Sequence, residues 1–156
     1  MTATAQRVAP DQTPAATLPA LVGAAEALFE AAKSQLRALV SDKGKVSAAL
    51  MEREQHAAHG FSWLATYVEA LRQLHHWQDR LAAEGQFGEI ETLILEIGAG
   101  EYAAQILGGI PMSQVEIVRP SDLNLQEADL AAFRSAAEPL IAASGDQTRK
   151  TRLAEL

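Results

Sequence analysis

The sequence predicts an all-α fold, an antiparallel helical bundle of about four helices with one long central helix. Three observations carry that expectation. Ser47 to Glu84 contains no proline and a single glycine, Gly60. Within it, Ala57, Phe61, Leu64, Val68, Leu71 and His75 recur at steps of four and three, while His56, Trp63, Tyr67, Ala70, Leu74, Trp77 and Leu81 form a second stripe beside the first. A helix apolar over so wide an arc needs cover from two sides, which makes it the centre of a bundle rather than a surface helix. The runs before and after it also carry helical periodicity, and short glycine-containing turns separate them. The remaining line of the long helix, His59, Ser62, Thr66, Glu69, Gln73, His76 and Arg80, is polar and should face solvent or a partner.

Before that helix, Leu18 or Ala20 to Val40 places Leu21, Ala25, Leu28, Ala32, Leu36 and Leu39 on one face. Pro19 sits where a first helical turn accepts it. Ser41 to Lys45, SDKGK, reads as a turn, and Ser47 can cap the long helix. After it, Gly85 and Gly88 turn the chain into a third helix, EIETLILEIGAGEYAAQIL. Ile90, Leu93, Ile94, Ile97, Ala104 and Ile106 or Leu107 are expected inside, and Glu89, Glu96 and Glu101 outside. Gly98 and Gly100 each cost about 1 kcal/mol against alanine in a helix interior, so close helix approach is their structural reading. Gly108, Gly109 and Pro111 end the pattern, and Met112 to Pro120 reads as a short extended or mixed connector. Ser121 or Asp122 to Asn124 makes a capped turn. Leu125 to Ala143 follows as a fourth helix with Leu130, Phe133, Ala137, Leu140 and Ile141 inward and with Pro139 expected to kink or shorten it.

In domain terms, residues 1–17, rich in Ala, Thr and Pro, read as a disordered lead-in without the apolar core of a secretory signal. Residues 18–143 form the bundle, and 144–156 a linker or tail whose Arg149, Lys150 and Arg152 cluster. At 156 residues, 48% hydrophobic and 21% charged, the chain suffices for one domain with an ordinary core. Acids outnumber bases 20 to 13, for a net charge of −7, which argues against a nucleic-acid partner. No run approaches the roughly 20 consecutive apolar residues of a membrane span, so the expectation is a cytoplasmic protein with no membrane partner. Cysteine is absent, which removes disulfides, thiolate zinc sites and cysteine nucleophiles.

Two enzyme-like or ligand-binding patterns compete with a purely structural reading. Leu95-Glu96-Ile97-Gly98-Ala99-Gly100, preceded by Thr92 to Ile94 and followed by Glu116, has the form of the strand and glycine-rich turn that hold S-adenosylmethionine in small methyltransferases. The flanking strand-helix units that such a fold needs are missing, and Tyr102 stands where a further glycine is usual. Glu52, His56 and His59 share adjacent faces of the long helix, which suggests a metal-binding bundle. Arg53 stands three residues before His56, where a Glu-x-x-His ligand pair needs its glutamate, and no histidine lies on any other helix. No catalytic, cofactor-binding or metal-ligating residue is therefore assigned. The candidate interface residues are Trp63, Tyr67, Trp77, Ile110, Pro111 and Met112, aromatic anchors and an irregular segment beside rigid helices.

The runs EQHAAHGFSWLATYVEALRQ and GQFGEIETLILEIGAGEYAAQILGGIPMSQVEIVRP, between Glu54 and Pro120, resemble the helical N-terminal extension of methylsuccinyl-CoA dehydrogenases and similar acyl-CoA dehydrogenase-type flavoenzymes. The likeness spans most of residues 20 to 145 in long ungapped phrases. It implies a non-catalytic domain, inert alone, that packs on a dehydrogenase body in the same or a separate polypeptide, or on its own copy. It also implies that FAD and the acyl-CoA thioester belong to that body. No flavin-contacting or catalytic residue of the family maps onto this chain.

Overall fold

A computed structural model describes residues 13–156, and its architecture is all-α. A 3-10 turn at Pro14–Thr17 leads into α1 (Leu18–Val40). The two-residue strands β1 (Ser41–Asp42) and β2 (Lys45–Val46) follow, then α2 (Ala48–Arg53), α3 (Gln55–Ala83) and α4 (Glu89–Gly108). Strands β3 (Ile110–Pro111) and β4 (Ile117–Val118), a second 3-10 turn at Pro120–Leu123, α5 (Glu127–Gly145) and α6 (Gln147–Glu155) complete the chain. The long helices close a ring in which α1 packs on α3 and α5, and α4 packs on α3 and α5. Contacts set the directions. Phe29 stacks on Phe61 while Gln78 Nε2 reaches the Ala15 carbonyl, and Tyr67 meets Tyr102 while Trp77 meets Phe87, so α3 runs antiparallel to both α1 and α4. Phe133, Leu18, Leu21, Leu28, Leu64, Leu71, Leu95 and Leu140 fill the centre.

Local chemistry accounts for most element ends. The Ser47 side chain accepts from Leu50 N to start α2, Glu91 Oε2 accepts from Gly88 N at 3.0 Å to start α4, and Asp129 Oδ2 accepts from Gln126 N at 2.8 Å to start α5. The SDKGK turn is a two-residue hairpin loop with Lys43 at φ 49° and Gly44 at φ 79°, the twist that such a loop requires. Lys43 is exposed and pays the left-handed penalty, so Lys43→Asn should raise stability by roughly 0.5 kcal/mol in chemical denaturation, since asparagine tolerates that region.

On α3 the sequence pattern and the structure agree. Ala57, Leu64, Val68 and Leu71 are buried, the second stripe is mostly half-buried, and the polar line from His59 to Arg80 is exposed. Five expectations need correction. The rod expected over 47–84 is interrupted at Glu54, whose ψ of 28° departs from helical geometry, and α2 before it has no fully buried side chain. Pro139 does not shorten α5, which runs on to Gly145 because Ala137, Leu140 and Ala143 are buried on either side of it. The lead-in expected over 1–17 lies, for 1–12, outside the described residues, but Pro14–Thr17 is an ordered turn with Ala15 buried, so the packed body starts before Leu18. Residues 147–155 of the expected tail form α6, which lies against α4 and α5.

The fifth correction concerns α4, which is turned relative to its expected phase. Leu93, Leu95, Glu96, Ala99, Gly100, Ala103 and Ile106 are buried, whereas Ile90 and Ile94 are exposed. The cause is the α4–α5 contact: a Cβ built on Gly100 would sit 2.2 Å from the Leu140 carbonyl oxygen and 2.6 Å from Ser144 Cβ. Small residues at 99, 100 and 103 let two backbones approach, and that approach outweighs the branched side chains in choosing the inner face. Pro14–Val40 is long and apolar enough to cross a membrane by length and composition alone. Here its apolar face, Leu18, Leu21, Ala25, Leu28 and Ala32, is core.

Candidate functional site

Two polar constellations stand out, one at the surface and one inside. On α3, His56 and His59 face Glu116, on the loop between β3 and β4, and Asp122, in the second 3-10 turn. His56 Nδ1 lies 3.4 Å from Glu116 Oε1, His56 Nε2 3.6 Å from Asp122 Oδ2, and His59 Nδ1 4.0 Å from Glu116 Oε2. The Trp63 indole donates to His59 Nε2 at 3.0 Å. Indole is a donor only, so His59 Nε2 must accept, and the proton of neutral His59 sits on Nδ1, toward Glu116. Glu52, Gln55, His56, His59 and Glu116 line an open groove of about 500 Å³. Among the described residues no group of three or more His, Asp and Glu is placed to hold a metal ion. Glu52, expected beside the histidines, lines the groove, but His56 and His59 meet acids of the following segments instead. The groove does not fit FAD, because Glu52 and Glu116 would oppose its diphosphate. Every pair in it is partly exposed and long, worth about 0–1 kcal/mol each, so the buried Val118 against Gly60, more than this cluster, seats the β3–β4 hairpin on α3.

The interior constellation is centred on Glu96, which is 0% exposed. Its Oε1 accepts from Ala15 N at 3.2 Å, and its Oε2 pairs with Arg149 Nη1 of α6. Burial is the largest influence on this carboxyl and raises its pKa; the Ala15 hydrogen bond and the Arg149 charge pull the other way. One side chain of α4 thus ties down both the N-terminal turn and the C-terminal helix. The rest of α6 is held at the surface by Arg152, which pairs with both Glu89 oxygens at 2.7 and 2.9 Å, and by Lys150, 3.3 Å from Glu101. No residue of α6 is buried. Sequence reading placed Glu96 outside and Arg149 in a linker; the only signal was a lone carboxylate inside the apolar run LILEIGAG.

The candidate interface residues divide. Tyr67 is buried against Tyr102 at 5.0 Å between centroids, with its hydroxyl donating to Gln105, and burial is the main cause of its raised pKa. Ile110 and Met112 are in the core, while Trp63 and Trp77 are half-buried and Pro111 is exposed. The stretch 92–100, read as a possible strand and glycine-rich turn, lies wholly within α4, so it makes no such turn. The cavity beneath the β3–β4 hairpin, lined by Leu28, Leu64, Ile106 and Val118, measures about 10 Å³, close to a single water.

This helical body, with its buried Glu96–Arg149 clamp, has a counterpart among known proteins. The chain is 51% identical over 131 residues, 84% of its length, to (2S)-methylsuccinyl-CoA dehydrogenase of Cereibacter sphaeroides. It is a homologue of one segment of that enzyme. It spans only 23% of the dehydrogenase's length, so the match is to a domain-sized part of it. No family model matches the chain.

Proposed function

We propose that this chain is the non-catalytic helical domain of a methylsuccinyl-CoA dehydrogenase-like flavoprotein, lying N-terminal to the dehydrogenase body and packing on it to assist assembly or to shape the substrate entrance. The supporting observation is the 51% identity confined to about a quarter of the dehydrogenase. In this reading the body, in the same or a separate polypeptide in the cytoplasm, holds FAD and the acyl-CoA thioester and performs the oxidation. The chain's own residues contribute rigidity and surface. Trp63, Trp77 and Pro111 remain accessible enough to take part in such contacts.

The test compares the intact Cereibacter sphaeroides dehydrogenase with a form lacking the matched segment, by light scattering coupled to size exclusion and by thermal unfolding. The expected outcome is that the shortened form keeps its flavin but loses subunits or melts several degrees lower. An unchanged number of subunits, identical Tm and unchanged turnover would leave the domain without this role.

A further inference from the structure

Among the described residues six large apolar side chains are exposed: Val46, Ile90, Ile94, Val115, Ile117 and Leu156. Three of them gather at one end of the molecule. Ile90 (38% exposed) and Ile94 (43%) are one turn apart on the outer face of α4, and half-buried Ile97 continues the row. Phe87, three residues before Ile90, packs edge-on against Trp77 at 6.3 Å between centroids. The bidentate Arg152–Glu89 pair brings the end of α6 to the same place, and Leu156, 51% exposed, lies one turn beyond Arg152.

This face is not an ordinary scatter of surface hydrophobics. Helix α4 carries apolar side chains on every side, the pattern of a helix covered all round, yet α3, α5 and α6 together leave the stripe of Ile90 and Ile94 uncovered. What would cover the rest follows from the relative: about three quarters of its length lies outside the matched segment. With this domain ahead of the body, α6 leads the polypeptide out beside Ile90. Around the patch Glu89 and Arg152 offset each other in their pair, which leaves Glu91 and Glu155, so the margin is acidic.

Resting on the reading under Proposed function, we propose that the Ile90–Ile94 face of α4, with Trp77 and Leu156 at its margin, is the surface that seats the acyl-CoA dehydrogenase body. The body's complementary surface is then an apolar patch flanked by basic groups. The β3–β4 hairpin, with Val115 95% exposed at its loop, stays outside the contact.

Hydrogen–deuterium exchange decides this, read on the chain alone and on the intact, FAD-loaded Cereibacter sphaeroides dehydrogenase. The amides aligned with 90–97 should exchange at least tenfold more slowly in the intact enzyme, while those aligned with 113–116 should not change. A second measurement stays within the intact enzyme, so it holds even if the isolated chain frays. Cysteine placed at the position aligned with Ile94 should react with a maleimide at least tenfold more slowly than cysteine at the position aligned with Val115. Slowed exchange around Trp63 and Pro111 instead, with fast labelling at 94, would overturn the assignment of this face and leave the packing reading standing. Protection nowhere in the segment would remove both. Protection at 90–97 that depends on the concentration of the isolated chain would give the face to a second copy and overturn the proposal.

Discussion

Gly100→Ala should destabilise the protein by about 2 kcal/mol or more, although helix propensity alone favours alanine by about 1 kcal/mol. The steric term wins because the added methyl meets the Leu140 carbonyl oxygen at 2.2 Å and Ser144 Cβ at 2.6 Å, and a backbone atom in the middle of α5 has no rotamer to escape into. Overpacking of this kind costs 1–3 kcal/mol, occasionally more, and here α4 and α5 must separate along their length to relieve it. Gly98→Ala is the control. Its Cβ would have only Leu74 Cδ1 nearby, at 4.0 Å, so the propensity gain survives and the denaturation midpoint should rise. A Gly100→Ala midpoint equal to or above that of the parent, at unchanged m, would show that the α4–α5 contact is not as close as described.

Arg149→Ala should cost about 3 kcal/mol at neutral pH, because it leaves the fully buried Glu96 carboxylate without its counter-charge. Most of that loss should be recovered in the double variant Glu96→Gln/Arg149→Ala, since the amide keeps an acceptor for Ala15 N and carries no charge. The pH dependence has a definite sign. Burial raises the Glu96 pKa in the folded state, so the folded protein binds this proton more readily than the unfolded chain. The contribution of Glu96 to stability is then complete below its unfolded value near 4.5 and is lost as pH rises through the folded value. The stability of the parent relative to Glu96→Gln should therefore fall from pH 4 to pH 7, and the Arg149→Ala penalty should grow over the same range. Glu69 and Glu89 act in the opposite sense: hydrogen bonds from Gln73 and Arg152, respectively, lower their pKa values, and that small stabilisation fades as pH falls through them. Denaturation of the parent and the three variants at several pH values separates these contributions.

The legible part of the fold lay where polarity was asymmetric. On α3 the apolar positions Ala57, Leu64, Val68 and Leu71 and the polar line from His59 to Arg80 differ so sharply that only one orientation buries the first and wets the second. The turn chemistry at Lys43-Gly44 and the cap at Ser47 were equally local, although Ser47 caps the short α2 and not the long helix it was expected to start. The phase of α4 was not legible. Isoleucines and leucines at 90, 93, 94, 95 and 97 leave no polar side to orient it, and the three small residues that set it act only against a neighbour that the linear pattern does not name. The same limit hid the Glu96–Arg149 pair, 53 residues apart.

The chain's own sequence determined that this is a helical bundle, how many long helices it has, which face of α3 is wet and where the turn at Lys43-Gly44 falls, because each follows from periodicity or backbone preference within a few residues. Tertiary structure alone decided which face α4 turns inward, that a carboxylate would be buried there, and that the polar C-terminal stretch would fold back onto it as α6. Those outcomes depend on the distance between two backbones and on pairing a charge across the molecule, and neither quantity exists until the helices have met.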